Sequence, residues 1–123
     1  MKICITSQGN DLNSSVDPRF GRCQYFIIVD TDSLGFEAIQ NPNIEASGGA
    51  GIQSAQLIAS KQAKAILSGN VGPNAYDTLK AARIEVITGV SGTIKDVIEK
   101  YKKGDYKVSE GPSVGSKFGM PPK

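Results

Sequence analysis

Gln24-Tyr25-Phe26-Ile27-Ile28-Val29, Asp30-Thr31-Asp32-Ser33-Leu34-Gly35 and Phe36-Glu37-Ala38-Ile39-Gln40 follow one another without a gap. The first six residues are β-branched or aromatic almost throughout, the composition of a strand packed on a pleated surface. The next six are turn chemistry, rich in short polar side chains that bond their own backbone. The last five alternate apolar and polar, the period of a half-exposed strand. Strand, turn and strand predict an antiparallel hairpin. Asn41-Pro42 ends it, because proline has no N–H to give to a ladder.

Outward from the hairpin toward the N-terminus, Lys2 to Thr6 alternates and reads as a first strand. Between them, residues 7 to about 22 carry Gly, Asn, Asp, Ser and Pro and obey neither period. A loop of that length within a small domain is uncommon and is often functional. Toward the C-terminus the pattern changes to strand and helix in alternation. Ser47-Gly48-Gly49-Ala50-Gly51 opens a helix whose apolar positions 52, 55, 58 and 59 share a face. Ala63 to Ser68 is a fourth strand. Gly69-Asn70-Val71-Gly72-Pro73 turns into a second helix, with Pro73 at its first position and a buried stripe of Ala75, Leu79 and Ala82. Ile84 to Thr88 is a fifth strand. Thr93-Ile94-Lys95-Asp96 resembles a capping box, and Ile94, Val97, Ile98 and Tyr101 mark a third helix, closed by Gly104.

A hairpin followed by strand–helix alternation implies a mixed sheet, with strands one, four and five parallel and joined by right-handed crossovers. The expected architecture is a single three-layer α/β domain: a five-stranded mixed sheet with helices on its faces, spanning 1–104. Residues 105–123, rich in Pro, Gly, Ser and Lys, are expected to form a flexible C-terminal tail.

Composition narrows the function. With 14 basic and 12 acidic residues the net charge is +2, too balanced for a protein driven onto nucleic acid by phosphate neutralisation. No run of 18 apolar residues exists to span a membrane, and Lys2-Ile3-Cys4-Ile5 is too short for a leader, so a cytoplasmic location is expected. The chain has no histidine, which removes imidazole bases and Ser-His or Cys-His pairs. Cys4 and Cys23 are read as free thiols in a reducing compartment.

Four features carry candidate chemistry. Gly48-Gly49-Ala50-Gly51 opens a helix and can present N–H groups to an anion, or simply let backbone approach the sheet; it is not a Walker loop. Gly72, at the start of the second helix, is placed the same way at the carboxyl end of a strand. Asp30, Asp32 and Glu37 are three acids close in sequence, which the hairpin turn explains without a metal. Val16-Asp17-Pro18-Arg19-Phe20-Gly21-Arg22-Cys23 is the densest. Arg19 and Arg22 are forks suited to anions, N–H groups near Gly21 add to them, and Cys23 abuts a cation that can lower a thiol's pKa. Against that, Asp-Pro turns, arginines solvate and Phe20 can plug the edge of a core.

Asp-Pro-Arg-Phe-Gly-Arg-Cys-Gln-Tyr-Phe, Gly-Ala-Gly-Ile-Gln-Ser-Ala-Gln-Leu-Ile and Ser-Gly-Asn-Val-Gly-Pro-Asn-Ala-Tyr-Asp-Thr-Leu-Lys-Ala-Ala stand in this order. Over residues 1 to 104 the chain resembles the dinitrogenase iron-molybdenum cofactor biosynthesis family. The resemblance implies a ribonuclease H-like fold and a non-enzymatic binding or carrier role for an iron-sulfur or iron-molybdenum cluster or related anionic cofactor. The family's loop commonly reads His-Phe-Gly, and Arg19 replaces that histidine here. The implied site comprises Arg19, Phe20, Gly21, Arg22, Cys23, Gly49, Gly51 and Gly72. Cys23 is its soft metal ligand, and the two arginines balance cluster charge. Expected partners are the cluster or a small anion and a protein acceptor, with no nucleic acid or membrane, and the protein a monomer or weak oligomer. The competing readings are an interaction or regulatory module without ligand, and a metal-dependent nuclease by fold analogy.

Overall fold

A computed structural model describes residues 1–42 and 49–112. Five strands and three helices follow in the order β1 (Lys2–Ser7), β2 (Tyr25–Asp30), β3 (Phe36–Gln40), α1 (Ala50–Ser60), β4 (Ala65–Leu67), α2 (Pro73–Ala81), β5 (Glu85–Ile87) and α3 (Ile94–Lys102). They form one mixed sheet of order β3-β2-β1-β4-β5. β2 pairs antiparallel with β1 and β3, while β4 pairs parallel with β1 and β5.

Alternation along each strand splits the core in two. Cys4, Phe26, Ile28, Ile66 and Val86 point to one face and pack with Ile58, Ala75 and Leu79 of α1 and α2. Ile3, Ile5, Ile27, Val29, Leu67 and Ile87 point to the other, against Ile94, Val97 and Ile98 of α3. Three layers result, as the pattern predicts. The central strands are buried on both faces, which is why they read as near-continuous apolar runs.

Local details depart from the sequence reading in explicable ways. The fourth and fifth strands keep three residues each, Ala65–Leu67 and Glu85–Ile87. Gln62 and Arg83 precede them in the left-handed region, at φ 64 and 63, and turn the chain sharply out of the helices. Ala82 is not in the buried stripe of α2; it caps the helix at the surface, and Tyr76 is buried instead. On α1, Ile52 is only half-buried, whereas Ser54 is fully buried. Thr93 caps α3 by accepting from Asp96 N at 3.2 Å. Beyond α3, Ser109 N donates to Val86 O at 2.7 Å, so the described part of the expected tail, 105–112, runs beside β5. The rest of that tail, 113–123, and Gly48 lie outside the described residues. No described helix is long and apolar enough to cross a membrane.

Candidate functional site

The loop between β1 and β2 is ordered by backbone pairing, which its lack of period hides. Ser7 and Val16 form an antiparallel bridge, and Arg19 and Asn70 a parallel one. Asp17 N donates to Thr6 O at 2.9 Å, Asn70 N to Pro18 O at 2.8 Å, and Phe20 N to Asn70 O at 3.2 Å. The loop is thereby laid across the carboxyl ends of β1 and β4. These strands flank the point where strand order reverses, since the chain leaves β1 toward β2 and β4 toward β5. Open α/β sheets bind ligands at such points.

Asp17 is the organiser. It is 1% exposed. Its carboxylate accepts from Arg19 N at 3.1 Å, Gln24 N at 3.2 Å, Arg19 Nε at 3.2 Å and Arg19 Nη2 at 3.3 Å. A buried carboxylate survives only with such donors. The bonds hold one edge of the Arg19 guanidinium and leave the rest of a side chain that is 59% exposed facing solvent. Asp17 raises the Arg19 pKa further, so the cation persists at any working pH. Behind the loop, Asn41 Nδ2 donates to Gly21 O at 3.0 Å and Cys23 O at 2.9 Å. The hydroxyls of Thr6 and Ser68 lie 2.9 Å apart, and Thr6 donates to Asp17 O at 2.6 Å.

Glycine is required where this loop meets the helices. Gly21 has φ 91, and a Cβ there would stand 3.1 Å from Gly51 Cα and 3.2 Å from Gly51 N. Gly51 in turn faces the first turn of α2, its absent Cβ 3.0 Å from Ala75 Cβ. At Gly69 a Cβ would be 2.7 Å from Pro18 Cα. The loop therefore meets the start of α1 and the β4–α2 connection backbone to backbone, and Gly51 lets α1 lie against Ala75 of α2. Neither helix has a side-chain N-cap or an acid in its first turn. Their leading N–H groups are answered by no side chain of the cap.

The expected site residues divide accordingly. Gly21 and Gly51 meet at the junction, Arg19 bridges Asn70 two residues before Gly21, and Gly49 and Gly72 are the N-caps of α1 and α2. Arg22 is exposed beside them. Phe20 turns inward, 9% exposed, its ring 6.0 Å from that of Phe26. Cys23 turns inward too, at 0% exposure. Here the expectation of an activated thiolate fails: burial first, and the Asp17 carboxylate second, push the Cys23 thiol up to about 12. Arg19 opposes this only weakly, and the thiol is protonated at neutral pH. Cys4 is likewise raised, by burial and by Cys23. Among the described residues no group of three or more Cys, Asp or Glu could hold a metal ion.

The sequence reading passed over Asp17, Asn41 and Gly69. Asp17 and Asn41 each precede a proline and were absorbed as turn or stop signals. The usable signal was Asp17 two residues before Arg19, the spacing of a carboxylate that bonds the backbone two residues on.

Comparison with known proteins agrees with this architecture. The family model for dinitrogenase iron-molybdenum cofactor matches residues 1–104. The chain belongs to that family. An uncharacterized protein of Methanocaldococcus jannaschii is 34% identical over 107 residues, covering 85% of this chain and 87% of its own length. Among solved structures, the apo form of the orange protein from Desulfovibrio gigas superposes with a TM-score of 0.88 at 36% identity, covering 91% of this chain and 95% of that one. A NifB-like protein from Thermotoga gives a TM-score of 0.76 at 36% identity, covering 89% and 98%. The dinitrogenase cofactor family thus shares this three-layer arrangement, and the Asp17–Cys23 loop falls within the matched region.

Proposed function

We propose that this protein is a non-enzymatic, cytoplasmic binding or carrier protein whose cargo is an anionic metal–sulfur cluster of iron-sulfur or iron-molybdenum type. The site is the junction of the Arg19–Arg22 loop with the starts of α1 and α2. The observation that carries the reading is the backbone contact of Gly21 with Gly51, which sets the uncapped start of α1 against the loop. Two residues earlier, Arg19, whose charge is fixed by Asp17, bridges Asn70 in the connection that leads into α2, also without a side-chain cap. N–H groups at helix starts and guanidinium forks both favour anions.

The donor set argues for how the cargo is held. A cluster ligated by protein would need several thiolates or imidazoles. The chain has no histidine, and both thiols are buried. The residues fit a cluster that brings its own sulfur ligands and is gripped from outside by charge and hydrogen bonds. Cys23, expected as the ligand, acts instead as packing beneath the loop. Weak outer contacts also suit a carrier, which must release its cargo to an acceptor. Family membership supports the cargo class, and a 36%-identical relative with a described apo form supports a bound state.

The test is anaerobic incubation with iron and sulfide, and separately with tetrathiomolybdate, followed by desalting and visible absorption. Wild type and Cys23→Ala retain colour, and Arg19→Gln/Arg22→Gln loses most of it. Colourless wild-type protein in both incubations would overturn the cargo class. Loss of colour in a folded Cys23→Ala would overturn the outer-contact mode.

A further inference from the structure

The opposite edge of the sheet holds a second concentration of charge. Lys64 N donates to Lys2 O at 2.8 Å, one residue before the paired Ile3 and Ala65, so Lys2 and Lys64 are side by side at the amino ends of β1 and β4. Neighbouring parallel strands run about 4.8 Å apart. Both side chains project to the α1/α2 face. They line one cavity of ≈ 630 Å³ together with Arg83, Gln62 and an apolar floor that includes Ala63 and Ile84. Such a volume falls within the roughly 300–1,000 Å³ range of small-molecule sites.

No Asp or Glu lines this cavity. Among the described residues, Lys2, Lys64 and Arg83 enter no ion pair within 4.0 Å. Asp30 stands opposite Lys2 across β1 and β2 and feels its charge, but forms no ion pair with it within 4.0 Å; its carboxylate accepts from Asp32 N and Ser33 N and pairs with the α-amino group. Glu85 influences Tyr101, on the α3 side of the sheet. Lysines can serve to neutralise helix C-termini, yet the closing carbonyls here are answered by backbone. Lys61 N bonds Leu57 O and Ile58 O, Gln62 N bonds Ala59 O, and Arg83 N bonds Lys80 O. Like charges adjacent on one face of a sheet repel, and a bound anion removes that repulsion.

We propose that this groove is a binding site for a small polyanion carrying several phosphate or carboxylate groups. It lies at the other end of the parallel strands from the Arg19 loop and does not rest on the cargo reading. The probes are tripolyphosphate and, in a second arm, citrate, titrated into the full chain at physiological salt while backbone amide shifts are recorded. Saturable shifts are expected at Lys2, Gln62, Lys64 and Arg83. Lys64→Gln, and independently Lys2→Gln, weaken binding roughly tenfold, whereas Lys103→Gln, beyond α3, leaves it unchanged. Saturation by tripolyphosphate alone assigns phosphate recognition; saturation by both assigns charge recognition. Shifts that do not saturate or spread equally over Lys100 and Lys103, or an affinity indifferent to both lysine variants, would overturn the proposal.

Discussion

At the carboxyl edge of the parallel strands, a buried carboxylate gathers four N–H donors and pins one arginine against the loop backbone. At the amino edge, three cations converge on one cavity with no carboxylate in its lining. Both edges are positive, but the first is built on the long connection between β1 and β2 and the second on short turns out of α1 and α2. They differ in order: one is fixed by buried hydrogen bonds, the other is held only by the strands that carry it. A site that must present backbone N–H groups in fixed directions needs the first arrangement. A site that attracts charge needs only the second. Mutations at the carboxyl edge should therefore cost stability and binding together, and those at the amino edge binding alone.

Asp17→Ala is the largest test of that contrast. It leaves Arg19 N and Gln24 N without their acceptor in a buried setting, and should cost about 3 kcal/mol, read from the denaturant midpoint. Asp30 also accepts two backbone N–H groups, but in a solvent-facing turn. Its replacement by Ala should move the midpoint far less; equal effects would show that burial is not what sets Asp17 apart. Gly69→Ala forces a Cβ against the Pro18 backbone and should cost about 2 kcal/mol, with tetrathiomolybdate binding lost alongside.

The buried thiols give a pH signature. Their folded pKa values are raised, Cys23 to about 12 from 9.0. The stabilisation is thus fully present below pH 9.0, where both states hold the proton, and is lost as pH rises and only the unfolded chain ionises. Between pH 9.0 and about 12 the Cys23 thiol should remove about 1.4 kcal/mol of stability per pH unit. Cys23→Ala should flatten that decline by one thiol's share in denaturant titrations at pH 8, 9 and 10. An unchanged slope would mean that Cys23 reaches solvent. The smallest expected effect lies at the amino edge. Without ligand, Lys64→Gln should be neutral or stabilising by about 0.3 kcal/mol, because it relieves repulsion from Lys2.

The mixed sheet was legible because its buried strands are β-branched apolar runs, its outer strand β3 alternates, and its helices obey period 3.6. Phe26 to Val29 and Ile94 to Tyr101 needed no tertiary information. Strand ends were less so: Ala63 and Ser68 carry strand-like composition but lie beyond the three-residue ladder, since pairing length is set by the neighbouring strand. The loop was legible as a place, through its length and its arginines, but its internal logic was not. A buried Asp17 looks like any Asp-Pro turn until Thr6, Gln24 and Asn70 are brought beside the loop by strand pairing. Cys23 shows a related limit. Sequence adjacency to Arg22 suggests a lowered pKa, whereas the end of the loop turns the thiol into the core beside Phe26 and leaves the arginine exposed.

The most direct test is amide chemical-shift mapping of the full chain titrated with tetrathiomolybdate under anaerobic conditions. The cargo reading predicts saturable shifts at Arg19 to Arg22, Gly49 to Ile52, and Gly72, Asn74 and Ala75, abolished in Arg19→Gln/Arg22→Gln and retained in Cys23→Ala. Shifts confined to the Lys2, Lys64 and Arg83 groove, or no shifts at all, would contradict it.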